Sequence, residues 1–403
     1  MKCVVFLGDG MADEPIAELG GKTPLEAANH PNMDKIASCG IMGIATTVPK
    51  GMSPGSDVAN LSMIGVDPAS CYTGRSPLEA VSIGVKLGEN DVTYRCNLVT
   101  LSNETNMEDK TMLDYSAGEI SSEEAAELIK SMQQHFGSEK IEFHAGVSYR
   151  HCLVLRNGKT GAKLVPPHDI SDRKLCGYLP EGENRELLLE MMEYSQKIFP
   201  EHPVNKKRIA EGKNPAISVW FWGEGTKPAL PEFKEKYGLS GAMISAVDLL
   251  HGIGISMGMR DISVEGATGN FHTDFAAKGK AAIDALKTGC DFVYIHVEAP
   301  DECGHQGQIK EKVWSIEQID EKIIAPVMNY LENCGDDWAV MVAPDHPTPI
   351  SVKTHTKTPV PFAICRKGDA HKADLRYNEN SARATGVVFE HAYELMSVLT
   401  KRD

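Results

Sequence analysis

The amino-acid sequence predicts an α/β protein built on a doubly wound, mostly parallel sheet, with a smaller α/β domain inserted into it. Short apolar runs alternate with helical patterns near the start of the chain, and the alternation returns from about Pro228. Continuously apolar runs are typical of parallel strands that are buried on both faces. The stretch between these two parts does not follow the same alternation. We therefore expect a core domain of residues 1–74 and 224–403 and an inserted domain of residues 75–223.

The first part of the core domain opens with a strand that ends in an acid. The apolar run Cys3–Leu7 leads directly into Gly8-Asp9-Gly10, and Ser56 later opens a helical pattern after a Pro-Gly turn. An acid at the carboxyl end of a buried strand lies where open α/β sheets bind their ligands. The other elements expected in this part are helices at Pro24–Ala28 and Met33–Cys39 and a strand at Gly43–Val48.

The inserted domain mixes strands and helices with loops marked by proline and glycine. Its strand-like runs are Val92–Leu101, Lys140–Val147 and His151–Arg156, and its helical patterns are Ser122–His135 and Arg185–Ile198.

The last part of the chain returns to the alternation of the first. Its long helical pattern, Lys310–Leu331, contains Pro326, which we expect to kink or break the helix near its end. The other expected elements are a strand feeding a helix at Gly241–Gly252, helices at Asp274–Lys287 and Thr385–Leu399, and strands at Phe292–Val297, Trp338–Ala343 and Val360–Cys365.

Composition excludes several classes of protein. The formal net charge of −15 argues against nucleic acid or an anionic membrane as a partner, because both reward clustered Lys and Arg. There is no apolar run of 18 residues and no signal-peptide pattern, so we expect a cytoplasmic protein. The 10 cysteines form no C-x-x-C pair and indicate reduced core residues. Assembly into a homo-oligomer is left open.

Three strand-end acids and three histidines are the candidate metal-binding residues of this chain. In a parallel sheet the carboxyl ends of the strands share one edge, so we expect these side chains to meet. With Ser56 as a seventh ligand they can bind two divalent cations, and oxygen and nitrogen ligands without a thiolate suit Mn²⁺, Zn²⁺ or Mg²⁺. The acids are Asp9, Asp301 and Asp345, and the histidines are His305, His346 and His355.

Several of these residues also have ordinary structural interpretations. Ser56 can be a helix N-cap or a phosphate-binding hydroxyl at the same helix end. Asp9 can satisfy backbone N–H groups in a turn, and Asp301 with His305 can be a solvated turn after a strand. His296 lies inside an apolar strand and is interpreted as a hydrogen-bonded core histidine.

If the substrate is a phosphate ester, the size of the rate enhancement that is required favours a metal centre. General acid–base catalysis supplies about 10²–10⁴ in rate, whereas cleavage of a phosphate monoester can require up to ~10²¹. Two metal ions can lower the pKa of a coordinated hydroxyl and neutralise charge on the transferred group. The acids and histidines are then better used as ligands, and Ser56 as the nucleophile.

Five ordered motifs resemble the cofactor-independent phosphoglycerate mutases of archaeal type, in the alkaline phosphatase superfamily, over essentially the whole chain. They are Gly8-Asp9-Gly10-Met11, Gly55-Ser56-Asp57-Val58-Ala59-Asn60, Asp301-x-x-x-His305, Asp345-His346 and Thr354-His355-Thr356. The resemblance implies an alkaline phosphatase-like fold and a glycolytic mutase that needs no 2,3-bisphosphoglycerate. It also implies a small phosphorylated substrate and an inserted domain that grips glycerate and closes over the site.

The resemblance also implies a role for each matched residue. Ser56 matches the serine that is transiently phosphorylated. Mn²⁺ is the favoured ion, with Mg²⁺, Zn²⁺ or Co²⁺ as alternatives. Asp9, Ser56, Asp345 and His346 match the ligands of one metal, and Asp301, His305 and His355 match those of the other.

The sequence departs from the bacterial branch of this family at two positions. Asp57 and Asn60 stand where that branch has Glu and His. The inserted domain is divergent, and its candidate substrate-binding residues are Arg75, Arg95, Arg150 and His151.

Two other activities share the same metal chemistry. A related branch has been proposed to act as homoserine kinase, and His202-Pro203-Val204-Asn205 resembles that branch too. Against ATP dependence, the chain has no G-x-x-x-x-G-K-[ST] loop; Lys278-Gly279-Lys280 is followed by Ala281 and lacks both the first glycine and the hydroxyl residue. A metal-dependent phosphatase is the other alternative.

Overall fold

The computed structural model describes residues 1–401, which divide into two compact units. Unit 1 contains Met1–Tyr72 and the chain from Ala229 onwards, and unit 2 contains Thr73–Pro228. Within the described residues, no helix combines the length and the apolar character that crossing a membrane requires.

The strands and helices of both units are numbered here in chain order. The strands are β1 (Lys2–Gly8), β2 (Ile41–Ala45), β3 (Val92–Leu101), β4 (Met112–Asp114), β5 (Ile141–His144), β6 (Arg150–Leu155), β7 (Ala162–Lys163), β8 (Glu181–Gly182), β9 (Ser218–Thr226), β10 (Gly241–Ile244), β11 (Arg260–Ile262), β12 (Phe292–Val297), β13 (Trp338–Ala343), β14 (Val360–Arg366) and β15 (Val388–Phe389). The α-helices are α1 (Pro24–Ala27), α2 (Pro31–Cys39), α3 (Ser56–Met63), α4 (Pro68–Cys71), α5 (Ser76–Ser82), α6 (Ser122–Phe136), α7 (Arg185–Ile198), α8 (Pro203–Ala210), α9 (Phe233–Tyr237), α10 (Asp248–Ser256), α11 (Phe275–Lys287), α12 (Ala299–Gln306), α13 (Ile309–Gln318), α14 (Ala325–Asn333), α15 (Glu379–Ala384) and α16 (Leu395–Thr400).

Unit 1 is built on an 8-stranded sheet with the order β11-β10-β12-β1-β13-β14-β2-β15. β1 pairs in parallel with β12 on one side and β13 on the other. Only β14 runs against its two neighbours among the described strands of this sheet. The expected mostly parallel sheet is therefore confirmed, and the three strands that precede the acids lie side by side.

Helices cover both faces of this sheet. Successive residues of a strand point to opposite faces. In β1, Val4 and Phe6 join a core with α2, α11, α13 and α14, whereas Val5 and Leu7 are equally buried on the other face. On that other face α10 packs against β10 and α16 against β13. The sheet is doubly wound, as the sequence predicts.

The long helical pattern before β13 is interrupted, as the proline predicts. A π-helical segment, Ile319–Ile324, separates α13 from α14, and Pro326 follows it in the first turn of α14. Proline cannot donate a backbone hydrogen bond, so a regular helix cannot continue unchanged through it. The segment also buries Asp320, whose carboxylate accepts hydrogen bonds from the N–H groups of Asn32 and Met33 at the start of α2.

Three sequence predictions need correction. A single helix at Thr385–Leu399 is wrong, because Gly386 has a φ of 71° and the following β15 pairs with β2 before α16 begins. The strand expected at Gly43–Val48 is β2, which ends at Ala45. The strand expected at Lys140–Val147 ends at His144, because a turn with Ser148 at a φ of 54° precedes β6.

Unit 2 contains its own antiparallel sheet and core. β3 is its central strand and pairs with β4, β6 and β9. Tyr94, Trp220 and Phe221 are fully buried in a core shared with α6 and α7. The other face of the sheet carries α5, which packs on β3 and β9. The predicted mixture of helices and strands is present, with antiparallel pairing.

Candidate active site

The three predicted acids lie at one edge of the unit 1 sheet. Asp9 directly follows β1, Asp345 follows β13 after one proline, and Asp301 lies in the first turn of α12, just after β12. Because β12, β1 and β13 are adjacent and parallel, their carboxyl ends bring the acids together. All three side chains are buried.

The first group of potential ligands consists of Asp9, Asp345, His346 and Ser56. His346 Nε2 lies 3.5 Å from Asp9 Oδ1, 3.4 Å from Asp345 Oδ2 and 3.2 Å from Ser56 Oγ. The two acids and the histidine offer ligand atoms that all lie within 4.8 Å of one another. This is a spacing that one cation can bridge.

The second group consists of Asp301, His305 and His355. Asp301 and His305 lie one turn apart on α12, with Oδ2 and Nε2 at 3.2 Å. His355 Nε2 lies 3.4 Å from Asp301 Oδ1 and 3.0 Å from His305 Nε2. Asp301 and His305, at positions i and i+4, thus share one face of α12.

The electrostatics of the first group fit a bound cation. Burial raises the pKa of Asp9 well above its usual value, and the charges of Asp345 and Asp301 add to this effect. Asp9 Oδ1 is buried and accepts no hydrogen bond. Carboxylates crowded in this way are stabilised by a positive charge between them, and mixed oxygen and nitrogen donors suit a divalent ion.

Asp301 is in a different situation. Burial would raise its pKa, but hydrogen bonds from His305 and His355 outweigh burial and hold the pKa well below its usual value. Asp301 is therefore an ionised carboxylate held between two imidazoles. The two groups share the edge of the sheet but differ in how their charge is compensated.

Ser56 is the first residue of α3 and does not cap it. The N-cap position is occupied by Gly55, and no side-chain capping hydrogen bond is formed there. The N-cap interpretation of Ser56 is wrong, and its hydroxyl is turned toward His346 instead. The next residue, Asp57, accepts hydrogen bonds from the Val58 N–H and from the hydroxyl of Tyr72.

Asn60 is a site residue that the motif contains but that sequence reasoning gave no role. Its amide donates to Asp345 Oδ2 at 2.8 Å and to the Ser56 carbonyl at 2.9 Å, and its oxygen accepts from Tyr294 at 2.7 Å. The sequence feature that could have identified Asn60 is its position one helical turn after Ser56, on the same face of α3. Asn60 ties the nucleophile candidate to an acid from a different loop.

His296 and Thr348 form hydrogen bonds with two of the acids, Asp9 and Asp301. His296 Nε2 lies 3.0 Å from Asp9 Oδ2, and its Nδ1 lies 3.2 Å from the Ser245 hydroxyl. Burial lowers the pKa of His296 to about 3, so the ring is neutral and donates to Asp9. The prediction of a hydrogen-bonded core histidine is confirmed. Thr348 donates a hydrogen bond to Asp301.

Gly10 is required by the close approach of the backbone to these side chains. Its φ is 60°, and a Cβ atom there would lie 2.6 Å from Asp301 Oδ1 and 2.6 Å from Thr348 Oγ1. Its N–H donates to Asp345 Oδ1 at 3.2 Å. Any side chain at this position would clash with Asp301 and Thr348.

The candidate substrate arginines lie in unit 2, around Glu79. Arg75 Nε and Arg95 Nε lie 2.7 Å and 2.8 Å from its two carboxylate oxygens. Burial would raise the pKa of Glu79, but the charges of Arg95, Arg75 and Arg150 outweigh it and lower the pKa. The Arg95 guanidinium also stacks on Trp222 at 4.0 Å. Arg75 and Arg95 together exceed the charge of Glu79 by one positive charge.

His151 is not brought to this cluster. It follows Arg150 in β6, and adjacent strand residues point to opposite faces. Its Nδ1 accepts a hydrogen bond from the Gly146 N–H, and burial lowers its pKa to about 3. His151 is therefore a neutral residue on the other face of the sheet.

Fold and site define an α/β protein with a candidate binuclear metal centre beside a helix-terminal serine. The chain belongs to the family of 2,3-bisphosphoglycerate-independent phosphoglycerate mutases, as the resemblance of its motifs implies. The family model of that description matches residues 37–205. A Geobacter sulfurreducens relative, named a probable mutase of this kind, is 50% identical over 403 residues and 100% of both chains. The Methanosarcina mazei mutase is 48% identical over 404 residues and 100% of both chains.

Solved structures agree with the fold. A Pyrococcus horikoshii protein superposes with a TM-score of 0.82 at 29% identity, covering 100% of this chain and 98% of the other. The cofactor-independent phosphoglycerate mutase of Thermoplasma acidophilum has a TM-score of 0.65 at 24% identity, with 99% of each chain covered. The second comparison shows the fold alone.

Proposed function

We propose that this chain interconverts 3-phosphoglycerate and 2-phosphoglycerate through a phosphoserine at Ser56. Membership of the mutase family supports the reaction. The observation that carries the proposal is the position of the Ser56 hydroxyl. Ser56 is the first residue of α3 but does not cap it, and its Oγ lies 3.2 Å from His346 Nε2. A serine that served only as an N-cap would accept a hydrogen bond from a backbone N–H with its side-chain oxygen.

We further propose that seven side chains hold two divalent cations. Asp9, Asp345, His346 and Ser56 would hold one, and Asp301, His305 and His355 the other. Mn²⁺ is favoured, with Mg²⁺, Zn²⁺ and Co²⁺ as alternatives suited to the same donors. When bound, the two ions would supply stabilisation of the charge on the phosphoryl group and a lowered pKa for the Ser56 hydroxyl.

The chain's own residues then define two displacements. In the first, Ser56 Oγ bonds to phosphorus while the bond from phosphorus to the 3-oxygen of glycerate breaks. The proton lost by Ser56 is balanced by one gained at that oxygen. In the second, the 2-oxygen of glycerate bonds to phosphorus while the bond from phosphorus to Ser56 Oγ breaks, and the proton lost by the 2-hydroxyl is balanced by one gained at Ser56 Oγ. The N-terminus of α3 favours the negative charge that develops beside it.

Unit 2 supplies, in this proposal, the groups that hold glycerate between the two displacements. Arg75, Arg95 and Arg150 provide the excess positive charge that a small carboxylate requires. His151 faces the other side of its sheet and is left out of this set. Exclusion of water is the second task that we assign to unit 2, because an accessible phosphoserine would be hydrolysed.

The test offers 3-phosphoglycerate with Mn²⁺ and measures 2-phosphoglycerate and inorganic phosphate together. The expected result is 2-phosphoglycerate with little phosphate. Ser56→Ala should abolish the product, whereas Ser53→Ala, which removes an exposed hydroxyl three residues earlier, should leave the rate unchanged. Homoserine with ATP is assayed in parallel for phosphohomoserine.

Three outcomes would overturn the proposal. Mutase activity that survives Ser56→Ala excludes the phosphoserine. Release of phosphate without 2-phosphoglycerate identifies a phosphatase. Phosphohomoserine as the only product identifies the kinase activity that the sequence leaves open.

A further inference from the structure

The hydroxyl of Thr348 lies between the two groups of metal-ligand candidates. Thr348 is fully buried in the loop that follows β13. Its Oγ1 donates a hydrogen bond to Asp301 Oδ1 of the second group and lies 3.3 Å from His346 Nδ1 of the first. Thr348 is not one of the seven proposed ligands, yet its single hydroxyl contacts both groups.

The other two histidines of the site have their Nδ1 atoms against backbone carbonyls. His305 Nδ1 lies 3.0 Å from the Lys353 carbonyl oxygen, and His355 Nδ1 lies 3.1 Å from that of Pro54. A carbonyl oxygen only accepts hydrogen bonds, so Nδ1 carries a proton in both rings and Nε2 is the atom available to a metal ion. An acceptor on the far side of the ring is the usual way to orient a histidine ligand.

The partner of His346 is a hydroxyl instead, which can either donate or accept. The Thr348 hydroxyl has one proton. As a metal ligand Asp301 is ionised, and a carboxylate only accepts, so this proton is used on Asp301. His346 Nδ1 must then be the donor to Thr348. Nε2 of the same ring, 3.2 Å from Ser56 Oγ, is left without a proton.

A buried ion pair holds the backbone of Thr348. Lys312 Nζ donates to the Thr348 carbonyl at 2.8 Å and to Asp13 Oδ2 at 2.7 Å, and both side chains of the pair are shielded from solvent. The Asp13 carboxylate also accepts from the Ile350 N–H at 3.2 Å. A buried ammonium is costly unless it is paired and hydrogen-bonded. The pair meets both conditions, and it joins the loop after β13 to the chain after β1.

Two glycines allow other parts of the chain to approach Thr348 closely. A Cβ atom at Gly304 of α12 would lie 2.5 Å from the Thr348 carbonyl oxygen and 2.8 Å from its Cγ2. A Cβ atom at Gly10 would lie 2.6 Å from its Oγ1. Close packing on these two sides restricts where the hydroxyl can point.

We propose that Thr348 is a positioning residue that fixes the ring tautomer of His346 and joins the two groups of metal-ligand candidates. The ion pair of Lys312 and Asp13 holds Thr348 in this position. With its proton on Nδ1, His346 presents a free Nε2 to the cation beside Ser56. The inference rests on the proposed function, because it presumes that His346 and Asp301 bind cations.

The tautomer is measured in metal-free protein by solid-state NMR with isotope-labelled histidine, and His346→Gln assigns the resonances. We expect the His346 proton on Nδ1 in wild type and in Thr348→Ser. Thr348→Val removes the hydroxyl and keeps the shape of the side chain. The proton should then move to Nε2, where oxygens of Asp9 and Asp345 lie within 3.5 Å. Thr358→Val, the matched control, removes an exposed hydroxyl from the same loop and should leave the proton on Nδ1.

Mn²⁺ affinity is the second measurement. Loss of a residue that orients metal ligands costs about 10–100-fold in affinity, so Thr348→Val should weaken both Mn²⁺ ions in that range. Thr348→Ser and Thr358→Val should bind both ions as wild type does. Lys312→Met combined with Asp13→Asn removes both charges of the pair, so that neither is left buried alone. This double variant should weaken both ions about tenfold, because the Thr348 carbonyl loses its donor.

A proton on Nε2 of wild-type His346 would overturn the tautomer assignment without the need for a folded variant. Wild-type Mn²⁺ affinity in folded Thr348→Val, or an equal loss in Thr348→Ser, would overturn the role of the hydroxyl. Wild-type affinity in the double variant would overturn the role of the ion pair. Expected tautomers in a wild-type chain that binds no Mn²⁺ would instead overturn the binuclear centre, because the tautomer is measured without metal.

Discussion

Asn60→Ala is the substitution that best tests how the site is held together. Asn60 is buried at 1% exposure and joins three groups, namely Asp345, the Ser56 carbonyl and the Tyr294 hydroxyl. Alanine keeps the helix but removes every one of these hydrogen bonds. The Tyr294 hydroxyl and one oxygen of Asp345 are then left buried without the partner they have now.

The magnitude follows from the groups left behind. Each buried group that loses its partner costs about 1–3 kcal/mol, so the free energy of unfolding should fall by about 2–6 kcal/mol. Loss of a residue that orients a metal ligand typically costs about 10–100-fold in metal affinity. We therefore expect Mn²⁺ affinity to fall by about 10–100-fold at the site that we propose Asp345 helps to form.

The assay pairs urea unfolding with Mn²⁺ titration, and Tyr294→Phe is its matched control. Tyr294→Phe also leaves Asn60 with one unpaired atom, so it should cost about 1–3 kcal/mol in stability. It leaves the bond from Asn60 to Asp345 intact, so its Mn²⁺ affinity should stay close to that of wild type. Folded Asn60→Ala protein with wild-type Mn²⁺ affinity would refute the reasoning, as would an equal loss of affinity in both variants.

Three further predictions concern single sites. Asp301→Ala should remove one of two Mn²⁺ ions measured by dialysis and leave the other, with Glu302→Ala as the neighbouring control; loss of both ions would contradict independent binding. Gly10→Ala should weaken Mn²⁺ binding at least tenfold, consistent with displaced ligands, whereas Gly20→Ala, also at positive φ but with open space around it, should cost only about 1–2 kcal/mol in stability; equal Mn²⁺ affinity in both would contradict the steric argument. Burial alone would lower the pKa of His30, but hydrogen bonds to a neighbouring aspartate and a backbone carbonyl raise it. Its contribution to the free energy of unfolding is thus complete below about pH 6.5 and is lost as pH rises through the raised pKa. The free energy of unfolding, measured with urea at several pH values, should therefore depend less on pH in His30→Asn than in wild type. The same pH dependence in both proteins would contradict this.

Much of the fold follows from local pattern. The runs Phe292–Val297 and Trp338–Ala343 are apolar apart from His296, and each is a strand with those bounds. Their burial on both faces leaves only one class of structure open to them. The acids that follow were therefore predictable neighbours, because parallel strands end at a common edge.

Other features depend on partners distant in sequence. The stretch Thr385–Leu399 has a helical pattern, yet pairing of β15 with β2 prevails over it near Gly386. The sequence likewise gives no sign that a carboxylate oxygen of Glu298 lies within 4.8 Å of one of Asp9, or that Gly269 from a separate loop leaves room for this side chain. Such outcomes are decided by tertiary contacts, which local propensity does not record.

The position of β1 in the sheet has a consequence for how the protein is made. Cys3 pairs with Phe292 on one side and with Ala339 on the other. During synthesis the first strand therefore gains its first neighbour, β12, only when about three quarters of the chain has been made, whereas the residues of unit 2 are complete at Pro228. Long-range pairing of this kind slows folding. The first strand is therefore without its sheet neighbours for most of synthesis, and the candidate metal site, whose residues extend to His355, can be completed only after β13 has emerged.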